Sequence, residues 1–312
     1  MSTRYDGEVT SDDAEFLLRK MVWHDDEHLT VGDTKFLVTG DTDTWKTAET
    51  DSERFFLMKD RWDVQAVSKY LPEPVPKMIE FGIFKGGSIA LYEQLYSPER
   101  LVGVDVDTER VKPLDRWLEK RQATDRVRLY YGTDQEDKEK LRAIAHDNFS
   151  DRSLDAVIDD ASHHYEPSKT SLNVFLPYLR PGGIYLIEDW AWAHWQGDRD
   201  FQEAFGSILH ENEKTPMTSL VFDAVMFSAS RPDIISAVSI DPSRVVLTRG
   251  PGVIDDESFD IATGYRTGRW NIKFSTRLRP LALDLWRRGL PYQFRRRVPR
   301  SFARWAHKYI PH

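Results

Sequence analysis

Residues 75 to 96 read VPKMIEFGIFKGGSIALYEQLY. The apolar run Val75 to Gly82 predicts a strand, and GSIALYEQLY, Gly87 to Tyr96, predicts the helix after it. Strand, glycine-rich turn and helix form the opening unit of a parallel α/β sheet, and the middle of the chain repeats the unit. RLVGVDVD (100–107) predicts the next strand and TERVKPLDRWLEKRQA (108–123) the next helix. RVRLYYGT (126–133) and DKEKLRAIAHDN (137–148) form a third such unit. LDAVIDD (154–160), the helix PSKTSLNVFLPYL (167–179), a turn at RPGG (180–183) and the strand IYLIEDW (184–190) complete the parallel part. Short apolar strands that each lead into an amphipathic helix specify a sheet covered on both faces.

Further along, DFQEAFGSILHENE and TPMTSLVFDAVMFSAS predict helices. The runs IISAVSI and RVVLTRG have only DPS between them, so they predict an antiparallel hairpin. A pure dinucleotide-binding sheet does not need that ending. The expected fold is therefore α/β: a doubly wound, Rossmann-like seven-stranded sheet closed by an antiparallel terminal hairpin. An N-terminal cap over 1–70, a core over 71–250 and a basic aromatic C-terminal extension over 251–312 are the expected domains. Within the cap, HLTVGDTKFLVTG reads as β-structure and DSERFFLMKDRWDVQAVSKY as helix.

The 312 residues, 40% hydrophobic and 12% aromatic, can bury one substantial core with extensions. No run approaches the roughly 18 apolar residues needed to cross a bilayer. The first sixteen residues lack the basic region and apolar stretch of a signal peptide, so the expected location is the cytoplasm. Without cysteine there is no disulfide framework or thiolate nucleophile, and any metal must sit on oxygen or imidazole.

The net charge of −8 is unevenly spread. From Arg277 onward ten Lys/Arg stand against the single acid Asp284, which leaves 33 basic and 50 acidic residues, or −17, on the chain before it. That distribution does not suit a nucleic-acid binder, and none is expected as a partner. The tail mixes Arg with Trp, Phe, Tyr and Leu, a composition that fits either an anionic membrane surface or an acidic protein body. Docking on the −17 body of its own or a neighbouring subunit is the preferred reading, and a homo-oligomer is expected.

The connector EFGIFKGGS carries the first candidate ligand site. Its glycines fall at Gly82, Gly86 and Gly87, which is not the Gly-x-Gly-x-x-Gly of a dinucleotide site. Glu80, ahead of the first glycine, would repel a pyrophosphate and suits a cationic or zwitterionic ligand such as S-adenosylmethionine. Glu80, Gly82, Gly86 and Ser88 are the candidate cofactor residues here. At the end of the second strand Asp105, and after it Asp107, can accept ribose hydroxyls. Asp134, after the third strand, lies near the expected adenine.

The second candidate site joins DDASHH (159–164) at the end of the fourth strand to EDW (188–190) at the end of the fifth. These strands lie side by side in a doubly wound sheet, so Asp159, Asp160, Glu188 and Asp189 should converge. Their mutual repulsion calls for a hard cation on oxygen ligands, Mg²⁺ or else Mn²⁺. WAWAHW (190–195) follows on the loop over this site, and its tryptophans suit either a sugar-binding face or a lid packed on the core. His194 in that loop is a further acid/base candidate by proximity alone.

Taken together, EFGIFKGGS, VGVDVD, GTDQED, DDASHH and GGIYLIEDW resemble the class I S-adenosylmethionine-dependent methyltransferases, over roughly Pro76 to Trp190. In particular they resemble the metal-dependent sugar O-methyltransferases of macrolide and rhamnoside pathways, with their Asp-(Gly/Ala)-Ser-His segment followed by a Glu-Asp pair. The resemblance implies that Asp160, Glu188 and Asp189 are metal ligands and His163 the general base, with Asp159 on the cofactor-facing side. It implies methyl transfer to a hydroxyl of a sugar or glycoside, made more acidic by the metal and deprotonated by His163. His164 is read as structural. A hydroxylase-associated or oxidoreductase role on the same fold and a catechol-like phenol acceptor are the alternatives; the first would want two histidines on iron, and adjacent His163 and His164 point apart.

Overall fold

The computed structural model describes residues 11–71, 74–191 and 215–265, all within one compact unit. Trp192 to Trp195 with His194, the stretch DFQEAFGSILHENE, and the basic extension from Arg266 onward lie outside the described residues.

The chain opens with α1 (Ser11–Lys20), β1 (Met21–Trp23), β2 (His28–Val31), β3 (Thr34–Val38), α2 (Thr42–Thr47), β4 (Arg54–Leu57) and α3 (Arg61–Tyr70). Strands β1, β2 and β3 are antiparallel neighbours, and β4 joins β3 in parallel. DSERFFLMKDRWDVQAVSKY, expected to be helical throughout, therefore contains a strand, Arg54–Leu57, ahead of its helix. Phe55, Phe56 and Leu57 are all buried, and an unbroken apolar run suits a strand covered on both faces better than a one-sided helix. The helix starts only at Arg61, where the Asp63 carboxylate accepts from the Asp60 backbone N–H at 3.2 Å, one arm of a capping box.

The main sheet uses β5 (Lys77–Phe81), β6 (Arg100–Val104), β7 (Val127–Tyr130), β8 (Leu154–Asp159), β9 (Leu179–Glu188), β10 (Ile235–Ile240) and β11 (Arg244–Arg249). The intervening helices are α4 (Gly87–Tyr96), α5 (Lys112–Lys120), α6 (Lys138–Phe149), α7 (Tyr165–Phe175) and, before β10, α8 (Thr218–Ser230). The strand order is β10-β11-β9-β8-β5-β6-β7. Strands β5 to β9 are parallel, while β11 runs antiparallel to β9 and β10 antiparallel to β11. The expected seven-stranded doubly wound sheet with its terminal hairpin is thus the observed one. One local reading changes: RPGG is not a turn ahead of the strand but an irregularity inside β9. The pairing jumps from Leu154↔Leu179 to Ala156↔Ile184, and Gly182, at φ +81°, absorbs the extra residues.

Strand alternation divides the core in two. Ile79, Phe81, Val157, Tyr185 and Ile187 face α6, α7 and α8, packing with Leu141, Leu172, Phe175 and Leu220. Met78, Ile158, Leu186 and Val246 face the other way, into a cluster with Ile89 and Leu91 of α4 and with Phe36, Val38, Phe55 and Leu57 of the N-terminal sheet. The growth of the sheet reverses between β5 and β8, which places a crevice at the carboxyl ends of these two strands. No helix among the described residues is long and apolar enough to cross a membrane.

Candidate functional site

The alternation that splits the core also sorts the acids. Glu80 and Glu188 lie on the face covered by the N-terminal sheet, in phase with Met78 and Leu186. Asp159 lies on the opposite face, in phase with Val157, and Asp160 is the first residue beyond β8.

The glycine loop is shaped as much by protein neighbours as by any ligand. Gly82 has φ +99°, and a Cβ there would land on the carbonyl oxygen of Asp160. A Cβ at Gly87 would land on the carbonyl oxygen of Phe56, so this glycine admits the end of β4 to the start of α4. Gly86 is the N-cap of α4 at φ +80°. Behind the loop, Glu80 is fully buried. Ser88 Oγ donates to its Oε2 at 2.8 Å, while its Oε1 has no partner among the described residues. Burial pushes the Glu80 carboxyl well above the ordinary range, against the opposing hydrogen bond from Ser88. A cationic group bound here would relieve both the orphaned oxygen and the desolvated charge.

Asp105, expected to meet a ribose, turns its carboxylate back to the loop. Oδ2 accepts the backbone N–H groups of Ile83 and Phe84, each at 2.8 Å, and Oδ1 accepts that of Asp107, also at 2.8 Å. Asp107 and Asp134 are exposed, and each accepts a backbone N–H two residues on, from Glu109 and Glu136.

At the ends of β8 and β9 the structure brings Asp160, His163 and Asp189 together, each offering a ligand atom within 4.8 Å of the others. His163 Nε2 lies 4.0 Å from Asp160 Oδ1. His163 and Asp189 both sit at positive φ, +54° and +52°, an uncommon conformation for residues other than glycine that concentrates at functional sites. Burial raises the Asp189 carboxyl, His163 draws it down and the nearby Asp160 pushes it up again. The two carboxylates of this set offer the oxygen ligands that suit a hard divalent cation. His164 stands at the N-cap of α7, with its carbonyl accepting from Ser168 N at 3.1 Å.

Glu188, expected as a third metal ligand, is paired with Lys59, and Lys59 Nζ also reaches Asp160 Oδ2 at 2.8 Å. Burial alone would lower the Lys59 ammonium; the two carboxylates more than reverse this and hold it well above its ordinary value. Burial pushes Glu188 up to about 7, although Lys59 works against the rise. Lys59 is the residue that sequence reasoning missed. Its only signal is a lysine two residues past the buried run Phe55–Leu57, and nothing local ties it to acids over a hundred positions away.

Asp159 serves the opposite face. It accepts from Gln135 Nε2 at 2.7 Å, Ser171 Oγ at 3.0 Å and Tyr185 OH at 3.1 Å, all buried. Three donors hold it in a network joining α7 to β9, so the structure gives it a structural place, and its expected contact with cofactor remains a proposal. Asp159→Ala should destabilise the protein by about 2 kcal/mol, because the three donors can only partly re-pair with one another. Urea denaturation measures this, and a change below a few tenths of a kcal/mol would remove the network from the stability account.

Residues 79–190 match the methyltransferase domain family. The chain is 31% identical over 112 residues to L-olivosyl-oleandolide 3-O-methyltransferase of Streptomyces antibioticus, an alignment covering 36% of this chain and 25% of the relative. It is 34% identical over 128 residues to mycinamicin VI 2''-O-methyltransferase of Micromonospora griseorubida, covering 40% and 28%. The chain thus spans about a quarter of the length of these curated relatives. Among solved structures, the MycE methyltransferase in complex with Mg, SAH and mycinamycin VI aligns at 23% identity and a TM-score of 0.41, over 69% of this chain and 52% of that one. The matched segment begins at Ile79, just ahead of Glu80, and ends at Trp190, just past Asp189, so it contains the glycine loop, Asp105, Asp160, His163, Glu188 and Asp189 but not Lys59.

Proposed function

We propose that the protein transfers a methyl group from S-adenosylmethionine to a hydroxyl of a sugar or glycosylated natural product, with Mg²⁺ at Asp160 and Asp189. One observation carries this reading: Asp160, His163 and Asp189 converge at the ends of β8 and β9. The acceptor class rests on the relatives, which are named for methylating sugars of macrolides and of a rhamnosyl tetracenomycin. Mn²⁺ could take the place of Mg²⁺ at the same oxygens.

When bound, S-adenosylmethionine supplies the methyl group as a sulfonium and Mg²⁺ supplies Lewis acidity toward the acceptor hydroxyl. Glu80 would offset the positive charge of the cofactor, and the turn at Gly82 to Gly86 would let the backbone come close to it. Asp160 and Asp189 would hold the metal, which would orient the acceptor hydroxyl. His163 takes the hydroxyl proton on an imidazole nitrogen. The remaining contribution is alignment of oxygen, methyl and sulfur by groups anchored on two adjacent strands.

The test is incubation with labelled S-adenosylmethionine, Mg²⁺ and a panel of rhamnosyl and other deoxysugar glycosides, with and without EDTA. Transfer to a glycoside is expected, falling at least tenfold with EDTA and returning with added Mg²⁺. Transfer indifferent to EDTA would overturn the metal role, and failure to bind S-adenosylmethionine would overturn the activity.

A further inference from the structure

We propose that Lys85 is a positioning residue for the cofactor: bound to the end of α2, it holds Phe84 and the glycine loop in the shape that receives S-adenosylmethionine. Segment 45–50, outside the matched domain, then sets cofactor affinity. This rests on the placement of the cofactor at the glycine loop. The Lys85 ammonium donates to the carbonyl of Trp45 at 2.9 Å, to that of Ala48, and to Glu49 Oε1 at 3.3 Å. These partners use all three of its protons, and the side chain is only 16% exposed. Trp45 lies in α2 and Ala48 is its C-cap, where a cation suits the carbonyls left unpaired at a helix end. A second bond runs the other way: Thr50 Oγ1 donates to the Lys85 carbonyl at 2.6 Å and accepts from Phe56 N of β4 at 3.1 Å.

The backbone of the loop needs this support at Phe84. Its φ of +47° is unfavourable for a residue with a Cβ and persists only where the surroundings over-determine it. Its N–H donates to Asp105 Oδ2 at 2.8 Å, and its ring centroid lies 6.4 Å from that of Trp45 and 6.4 Å from that of Phe56. The Lys85 ammonium stands 5.4 Å from the Phe84 ring and 5.3 Å from the Phe56 ring, within reach of a cation–π contact with each. Gly86 N donates to the Ile83 carbonyl at 2.8 Å, so Phe84 and Lys85 are the two central residues of a tight turn that leads straight into α4. Without the bonds to α2, Phe84 would be free to leave the left-handed region, and binding would have to order the loop again. Holding it ready beforehand removes that cost from cofactor binding.

The test is calorimetric titration of the full chain with S-adenosylhomocysteine, at a temperature where thermal unfolding shows each variant fully folded. This ligand carries no sulfonium, so direct repulsion between Lys85 and a positive sulfur does not enter. Lys85→Met should bind it at least fivefold more weakly than the parent protein, whereas Lys85→Arg, which keeps the charge and the donors, should stay within threefold. A residue that only stabilised the fold would lower the unfolding temperature and leave the affinity of the folded protein unchanged. A loss below fivefold in Lys85→Met would therefore overturn the proposal, and so would a Lys85→Arg protein outside threefold. Should Lys85→Met not fold, Thr50→Val, which removes the bond to the Lys85 carbonyl, decides instead: a loss of at least threefold supports the proposal and a smaller one overturns it. A parent protein that does not bind S-adenosylhomocysteine would overturn the placement of the cofactor itself, and the role of Lys85 with it.

Discussion

His163→Ala is expected to lower the rate of methyl transfer by about 10²–10⁴-fold, the range for loss of a positioned general base, while S-adenosylhomocysteine binds within threefold of the parent. His163 follows β8 by four residues and lies beside Asp160, whereas the cofactor residues Glu80 to Ser88 lie on β5, the glycine loop and the start of α4. Chemistry and cofactor affinity should therefore separate. The backbone at His163 has φ +54°, so alanine adds strain to the loss of the imidazole. His163→Asn isolates the second effect, because asparagine tolerates the left-handed region and cannot act as a base. Single-turnover rates and calorimetric titration with S-adenosylhomocysteine should show both variants slow and both binding normally. Equal losses of rate and affinity would remove His163 from the chemistry and assign it to the shape of the loop.

What could be read from the chain and what could not divide along a physical line. The split between Asp159 and Asp160 was implied by the resemblance, and alternation gives its physical ground: a strand ending LDAVID turns its last acid inward, and the next residue is free to face the crevice. Glu80, two residues before the left-handed Gly82, was legible from its charge, which does not suit a pyrophosphate. The RPGG irregularity in β9 was not, because a glycine-proline cluster signals a turn equally well whether the chain leaves the sheet there or bulges within it. The strand character of Arg54–Leu57 was hidden because an unbroken apolar run fits a strand or a buried helix until its partners are known. Lys59 was the least legible of all. Its meaning lies in pairings 101 and 129 residues away, and a lone lysine at the end of an apolar run is usually a solvated one. Asp105 shows the converse: the acid was located correctly at the end of β6, but its three backbone partners depend on how closely the glycine loop folds over it.

Gly82→Ala is expected to destabilise the protein by about 3 kcal/mol or more and to reduce transfer by roughly 10²-fold in whatever fraction folds. Two costs combine at this position. A φ of +99° is unfavourable for any residue with a Cβ, and that Cβ would land on the Asp160 carbonyl oxygen, with the carbonyl carbon only 3.0 Å away. No rotamer relieves a clash between backbone atoms, so the ends of β5 and β8 must part. They are tied there by Asp160 N, which donates to the Phe81 carbonyl at 3.1 Å, while Gly82 N donates to the Val104 carbonyl of β6 at 2.8 Å. Any relief therefore moves Asp160, and with it a proposed metal ligand. Gly86→Ala supplies the comparison, with a similar φ of +80° but a nearest neighbour, Leu114 Cδ2 at 3.0 Å, that belongs to a side chain able to give way. Thermal unfolding should place Gly82→Ala roughly 6–12 °C below the parent and Gly86→Ala clearly nearer to it, and only the former should also weaken Mn²⁺ binding. Equal losses of stability and metal affinity in the two variants would mean that the first glycine of the loop answers only to its own dihedral angles and that the carbonyl of Asp160 does not need the space it leaves.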